Sequence, residues 1–299
     1  MSVLVVGSTA FDSIKTPKGE NPRLLGGSAS HAAVAASFFA PVKLVGIVGE
    51  DFPAEYMKLY AKHKINVDAL QKTSGKTFHW SGEYEVNMNN RRTLATELGV
   101  IEHFDPVLPD SHRSTPYVLL ANISPAIQHQ VLDQMKKPKF VVVDTMDLWL
   151  NIARPELLKL LKRVDAFVLN DSEARELTED DNIVTALKKI HALGPKYVII
   201  KKGEHGAMLS SPKGLFISPA FPLEKVVDPT GAGDSFVGGM IGYLASQPGA
   251  LDAKLRRAMV YGSVVASFCC EDFGLKATTR STRKAIEKRV AQLEKIARF

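Results

Sequence analysis

The run VVDPTGAGDSFVGGMIGYLAS, residues 226–246, places an extended segment, a glycine-rich turn and an amphipathic segment end to end. Asp228 precedes a proline, which pushes it away from helical backbone, so the extended segment ends there. Gly231-Ala232-Gly233 permits a tight turn, and beyond it Phe236, Val237, Met240, Ile241 and Leu244 recur at helical spacing. Glycine-rich backbone therefore stands at a helix start, where unpaired N–H groups and the positive dipole end form an anion site. Asp234 sits at that same terminus. A helix cap, worth about 1 kcal/mol, is the simpler use for such an aspartate. A cap has no need of the preceding Gly-Ala-Gly run, whereas phosphoryl transfer uses both parts. Backbone donors stabilise the charge spread over the moving group, and a carboxylate beside them accepts the proton of the attacking hydroxyl. The helix dipole is expected to keep Asp234 ionised for that task.

Other chemistry-bearing groups have plain readings when taken alone. Asn170 and Glu173, three apart, satisfy a capping box. Gly26-Gly27 reads as a loop with Ser28 as the N-cap of the next helix. Gly203 and Gly206 are a turn signal. The eight histidines include no H-x-x-x-H pair with a matching acid or cysteine. Adjacent Cys269 and Cys270 offer neither a disulfide framework nor a metal-ligand pattern.

The elements that must position these groups alternate in type. Strand-like runs are VLVVGS (3–8), VKLVGIVG (42–49), YVLLANI (117–123), FVVVDTM (140–146), AFVLN (166–170) and YVIIKKG (197–203). Several are almost continuously apolar, as strands buried on both faces of a parallel sheet must be. Between them lie helical patterns at 28–40, 127–137, 155–164 and 182–193, with Pro155 in a first turn and Gly194-Pro195 as a stop. The alternation predicts one α/β unit over 1–299, a three-layer sandwich with a largely parallel central sheet. TFHWSGEYEV (77–86) breaks the rhythm. Strict alternation puts Phe78, Trp80, Tyr84 and Val86 on one face and Thr77, His79, Ser81, Glu83 and Glu85 on the other, the period of a half-buried antiparallel strand. With RRTLATEL (91–98), it predicts a small β-flap lid built from about 76–98 and 11–25; a hairpin merely packed on the sheet is the plainer alternative.

Composition excludes several classes. The 299 residues are 45% hydrophobic and 23% charged, ordinary for a soluble protein. No apolar run approaches the roughly 18–20 residues that span a bilayer, and the N-terminus lacks the pattern of a secretory signal. A cytoplasmic location fits best. The net charge of +6 lies largely in C-terminal stretches where charges alternate with apolar residues, as solvated helix faces do. No nucleic-acid-binding motif accompanies it, so neither nucleic acid nor membrane is expected as a partner.

The D-P-T-G-A-G-D-S-F-x-G-G run resembles the C-terminal signature of the PfkB carbohydrate kinases, the ribokinase-like family that includes ribokinase and adenosine kinase. The resemblance implies an ATP-dependent kinase of a sugar or nucleoside hydroxymethyl group. Gly231, Ala232 and Gly233 would form the anion hole, Asp234 would be the catalytic base, and Thr230 would lie near the phosphates. Asp228 belongs to a loop that often holds a monovalent cation such as K⁺ in the family. Leu25 to Ala33, LGGSASHAA, is similar to the family's substrate motif, in which the Gly26-Gly27 backbone lets the acceptor approach. Asp12 matches the early aspartate that binds acceptor hydroxyls, and 42–57 resembles the strand–loop–helix that follows. Asn170 and Glu173 resemble the N-x-x-E motif, whose glutamate organises Mg²⁺ and phosphate through water. Lys201 to Gly206 matches the turn that meets the nucleotide, with Lys201, Gly203 and Gly206 as contacts. The stretch Tyr261 to Phe268, Gly262 included, lies where these kinases shelter the adenine.

Two positions depart from the pattern. His31 stands where the family has asparagine; on its alanine-rich helix it reads alone as a packed side chain, and its place in the motif favours a polar substrate contact. Asp144-Thr145-Met146-Asp147-Leu148-Trp149 lacks the arginine of the sugar-acid kinases, which weakens the case for a carboxylated sugar. Phe78, Trp80 and Tyr84 would stack on the acceptor or pack against a partner's flap, as in homodimeric members. Two rivals stand beside this reading. A catalytically idle ribokinase-fold ligand-binding protein would not need Asp234. A dinucleotide-dependent oxidoreductase would need G-x-G-x-x-G after Val3–Gly7, where Ser8-Thr9-Ala10 stands instead.

Overall fold

The structure, a computed structural model, describes residues 1–298. In chain order its strands are β1 (Val3–Val6), β2 (Ala10–Thr16), β3 (Gly19–Gly26), β4 (Val42–Gly49), β5 (Ile65–Thr73), β6 (His79–Tyr84), β7 (Arg91–Glu97), β8 (Tyr117–Leu120), β9 (Phe140–Asp144), β10 (Ala166–Asn170), β11 (Tyr197–Lys201), β12 (Ala207–Ser211) and β13 (Gly214–Ser218). Nine of them form one sheet in the order β13-β12-β11-β10-β9-β8-β1-β4-β5. The seven from β11 to β5 in that order run parallel, and β12 and β13 close one edge as an antiparallel hairpin.

The apolar runs explain the layers. All four residues of β1 are fully buried. Val3 and Val5 face a core shared with the helices Ser28–Ser37, Ala232–Ser246 and Leu251–Cys269. Leu4 and Val6 face the opposite core, shared with Pro125–Gln134, Arg154–Leu161 and Ile183–Ala192. The result is the expected three-layer α/β sandwich. The strand-like runs of the sequence all form parallel strands, most of them ending two or more residues early. β5 and the β12–β13 hairpin were not expected. β5 is an edge strand with only two buried residues, and β13 is mostly exposed, so neither has the apolar signature of a central strand.

β1 has β4 on one side and β8 on the other, so the chain winds outward from it in both directions. Open α/β sheets bind ligands in the crevice at such a reversal, outside the carboxyl ends of the strands. β2 leaves that end of β1 after only Gly7, Ser8 and Thr9, and starts the second sheet, ordered β3-β2-β6-β7. In it β2 and β6 are parallel and the other neighbours antiparallel. This small sheet stands over the crevice, as a lid does.

The alternation expected over 77–86 holds only in part. The pairing of β6 with β7 shifts between Ser81 and Gly82, a bulge that breaks the period. Thr77, expected on the polar face, is buried, where its hydroxyl donates to Asp51 Oδ1 at 2.7 Å and accepts the Gly49 N–H at 3.0 Å. Val86 lies beyond the strand and is 88% exposed. Ser28 does not cap its helix either. Gly27 occupies the N-cap, while Ser28 Oγ accepts the Ser8 N–H at 3.1 Å and donates to the Asn122 carbonyl at 2.7 Å, tying the glycine loop to β1 and β8.

Candidate active site

Gly231 is the N-cap of the Ala232–Ser246 helix and has φ 76°, the left-handed conformation that favours glycine. It brings no side chain to the cap, and no side-chain cap bond forms at this terminus. Asp234, in the first turn, has no cap side chain to reciprocate, and its half-buried carboxyl accepts a hydrogen bond from its own backbone N–H at the helix start. Its pKa differs from the expectation. Burial raises it, with Lys201 and Arg91 pulling the other way, so desolvation outweighs the helix dipole that was expected to keep the group ionised. A carboxyl moved up towards neutral pH is a stronger base than a free aspartate.

Asp12, on β2, is buried against the glycine loop. A Cβ at Gly26 would collide with its carboxylate, and the Gly27 backbone supplies it a hydrogen bond. Burial, reinforced by the charges of Asp228 and Asp234, holds its pKa at about 7. Asp12 and Asp234, 222 positions apart in the chain, thus feel one another across the crevice. Asp228 is fully buried and acts as a tie: Oδ1 accepts the Thr230 N–H at 2.8 Å and Oδ2 the Gly274 N–H at 2.9 Å. Thr230 in turn donates from its hydroxyl to the lid's Tyr84 Oη at 3.3 Å.

His31 is not where a substrate contact would be. Its ring is 1% exposed and lies beneath Gly231, where an added Cβ would strike it. Nδ1 stands 3.7 Å from Cys269 Sγ, and Nε2 has no hydrogen-bond partner. Burial pulls its pKa down to about 4, so it is neutral and serves as a floor for the glycine turn. Gly262 also takes a different role. A Cβ there would stand 2.6 Å from the Phe236 carbonyl oxygen, so this glycine lets the Leu251–Cys269 and Ala232–Ser246 helices approach. Its successors Ser263, Ala266, Ser267 and Cys270 are the ones that line the neighbouring cavity.

That cavity, of about 610 Å³, runs from Gly233 and Lys201 past Gly203 and Gly206. Gly203 and Gly206 both have positive φ, at 55° and 82°, and a Cβ at Gly206 would collide with the Ser218 carbonyl. Asn87, Met88 and Asn89, from the tip of the lid, complete the wall. Asn170 and Glu173 form the full capping box: Asn170 Oδ1 accepts the Glu173 N–H at 2.8 Å, and Glu173 Oε2 accepts the Asn170 N–H at 2.7 Å. The capping reading of this motif is thus realised, and Glu173 keeps only part of its carboxylate for anything else. Burial raises its pKa to about 7.

Lys201 is held by a residue that the sequence reading did not single out. Its Nζ lies 2.9 and 3.0 Å from the two carboxylate oxygens of Asp144. Burial raises the pKa of Asp144 to about 6. Burial lowers that of Lys201, but the charges of Asp144, Glu173 and Asp234 more than offset it, and the net direction is up. Three carboxyls thus share one ammonium. No group of three or more His, Cys, Asp or Glu among the described residues is placed to hold a metal ion. Glu173, Asp144 and Asp234 around Lys201 are carboxylates, the oxygen donors that Mg²⁺ takes. Arg91, whose guanidinium reaches Asp147 at 3.4 Å and influences Asp234, was missed as well. The only advance signal was its place in the predicted flap.

The sequence profile of the pfkB family carbohydrate kinases matches residues 2–282. A cytidine kinase of Thermococcus kodakarensis is 30% identical over 257 residues, which cover 83% of this chain and 90% of that protein. A nucleoside kinase of Methanothermobacter thermautotrophicus is 26% identical over 308 residues, covering 97% and 96%. Among solved structures, the nucleoside kinase of Methanocaldococcus jannaschii superposes with a TM-score of 0.78 at 20% identity, over 97% of this chain and 98% of that one. The ribokinase of Arabidopsis thaliana, complexed with ribose and ATP, gives 0.77 at 23% identity, over 96% and 98%. Nothing in these likenesses supports the idle-site alternative.

Proposed function

The chain belongs to the pfkB family of carbohydrate kinases, and from that premise we propose that it transfers the γ-phosphoryl group of ATP to the hydroxymethyl group of a nucleoside, with Asp234 as the base. The observation that carries this reading is the uncapped helix start. Asp234 stands beside the left-handed Gly231 turn, held only by its own backbone N–H, with Asp12 across the crevice and Lys201 along it. The acceptor would lie under the lid, its hydroxyls on Asp12 and its approach opened by Gly26 and Gly27. ATP would lie in the cavity with its adenine towards Ser263 and Ser267, its chain along Gly203 and Gly206, and its γ-phosphate at Gly231, Ala232 and Gly233. Asp234 accepts the hydroxyl proton as oxygen attacks phosphorus. Lid closure excludes water, which protects ATP from hydrolysis.

Mg²⁺ on the nucleotide would be met by Glu173 through water, and it would neutralise charge on the β- and γ-phosphates. Both oxygens of Asp228 already accept backbone N–H groups, so K⁺ would add to a formed loop rather than build one. The likeness to a cytidine kinase makes a pyrimidine nucleoside the first acceptor to try. Two copies of the chain would pair through the free edge of the lid, and the protein would work in the cytoplasm.

The test is ADP release from MgATP across pentoses, hexoses, sugar acids, inositols and nucleosides, with Asp234→Asn in parallel. A nucleoside-dependent signal is expected, and the variant should lose on the order of 10²-fold or more in kcat, the scale of a positioned base. Full activity in the variant would remove Asp234 from the role. Acceptor-dependent ADP release with sugars alone would remove the nucleoside.

A further inference from the structure

Asp144 ends β9 and Lys201 ends β11, the two strands that flank β10. Register aligns Asp144 with Val168 of β10, and Val168 with Ile199 of β11. Side chains alternate along a strand, so Lys201, two beyond Ile199, shares their face, the one covered by the Ala232–Ser246 helix. The Asp144 side chain is 3% exposed and that of Lys201 18%. A buried ion pair is seldom kept for stability, since apolar residues of similar volume commonly serve as well. Here every preceding residue of both strands is buried and apolar, so an apolar pair would fit the strand ends.

The ammonium has a definite aim. A Cβ at Gly233 would stand 3.1 Å from Lys201 Nζ, so the charge lies against the backbone of the anion-binding turn. Asp234 and Glu173 are its other charged neighbours, and the side chain borders the 610 Å³ cavity. Without Asp144, the ammonium would be left to Glu173 and Asp234, and a pairing with Asp234 would occupy the base.

We propose that Lys201 is a catalytic residue whose ammonium contacts the γ-phosphoryl group in transfer, and that Asp144 is a positioning residue that aims it and keeps it off Asp234. The proposal rests on the phosphotransferase reading above. In the step, the acceptor oxygen bonds to phosphorus as the bond from phosphorus to the β-phosphate oxygen breaks. The hydroxyl proton passes to Asp234, and ADP leaves with the electron pair of the broken bond. Lys201 neither gives nor takes a proton; its charge meets the oxygens on which negative charge collects.

The test has a binding arm and a kinetic arm. Calorimetry compares ADP with β,γ-methylene-ATP on wild type and on Lys201→Met/Asp144→Leu, which removes both members of the pair together. The double variant should melt near wild type and bind ADP unchanged, but lose about tenfold or more for the γ-phosphate-bearing analogue. In turnover, Lys201→Ala should lose on the order of 10²–10³-fold in kcat, the scale of a lost preorganised donor, with acceptor KM little changed. Added ethylammonium should restore at least tenfold of that loss, and Lys201→Arg should retain more activity than Lys201→Ala. Asp144→Asn should lower kcat without any response to the amine. Equal losses for ADP and analogue, or a kcat loss that no amine restores, would overturn the proposal. A wild type that binds neither nucleotide would instead sink the phosphotransferase reading beneath it.

Discussion

Asp12 and Glu173 have pKa values of about 7 and Asp144 of about 6, each raised first by burial. Glu173 and Asp144 have Lys201 beside them, whereas the charges nearest Asp12 are the like charges of Asp228 and Asp234. In the fold Asp12 keeps its proton up to about pH 7, while its ordinary value is 3.8. Between those values the folded state binds more protons than the unfolded one. This group's stability is thus fully present below about pH 4 and is lost as pH rises through 7. Asp12→Asn removes that titration. The variant should match wild type in stability near pH 4 and exceed it above pH 7, by a gap on the order of a few kcal/mol. Urea unfolding at pH 5, 6, 7 and 8 reads the gap directly, and a constant difference across that range would show that Asp12 ionises freely in the fold. The Gly27 backbone supplies this carboxyl a hydrogen bond, and on the function proposed above an acceptor hydroxyl would add a second.

At the scale of elements, the helices that start at Asp171 and at Ala232 each carry an acid in the first turn and use it in different ways. Asn170 supplies a side chain to its cap, so Glu173 reciprocates and the pair closes. Gly231 supplies none, and Asp234 has no side chain at the cap to reciprocate; its carboxylate takes its own N–H, and the Ala232 N–H goes to the Pro229 carbonyl at 3.1 Å. The turn rests on His31, whose ring fills the space of a Gly231 side chain. Gly231→Ala should therefore meet both left-handed strain and a clash, and lower kcat about tenfold or more. His31→Ala opens that space, so the double variant should recover part of the loss, with a coupling of about 0.5–3 kcal/mol in a double-mutant cycle of kcat/KM. Strictly additive losses would mean that the ring does not support the turn. This interplay marks the boundary of what the chain discloses before it folds. Strands buried on both faces write themselves as apolar runs, and glycine turns ahead of helices are equally plain. What a glycine meets is not local. Gly262 has helix backbone against it and Gly231 a histidine 200 positions away, so one motif glycine packs helices and the other shapes the anion site. The Asp144–Lys201 pair was hidden for the same reason: Lys201 falls in the nucleotide turn and Asp144 in a separate segment, and nothing local in the sequence joins two residues 57 positions apart.

At the scale of the molecule, the tip of the lid meets the body through long polar contacts, Thr230 to Tyr84 at 3.3 Å, Arg91 to Asp147 at 3.4 Å and Asn89 to Glu204 at 3.5 Å. β2 and β3 are held by shorter ones, Thr16 to the Val227 carbonyl at 2.9 Å and Arg23 to Asp51 at 2.7 Å. Contacts of the longer kind hold the tip weakly while β2 and β3 stay tied to the body, an arrangement in which the tip moves more readily than the strand that carries Asp12. The lid's outer strand is the more exposed feature. Every residue of β7 is exposed, and β7 pairs on one side only, with β6. Free strand edges invite pairing with another chain, and this one carries no proline or lysine to discourage it. A two-fold axis through Leu94 would set β7 antiparallel to its copy, with Leu94 against Leu94 and Arg91 opposite Glu97. Such self-complementarity is what an isologous interface requires. Leu94 is 50% exposed in the lone chain, and Leu98, just past the strand, 45%. The chain should therefore sediment as a dimer at micromolar concentration. Leu94→Asp, which puts two like charges on the axis, should shift it to monomer, and Glu97→Arg, which faces arginine with arginine, should weaken the dimer while leaving the fold intact. Because β7 joins the sheet that holds Asp12, dimer loss should also loosen the lid and raise KM for the acceptor more than for ATP. A wild type that sediments as a monomer at all concentrations would leave the exposed edge of β7 without this partner.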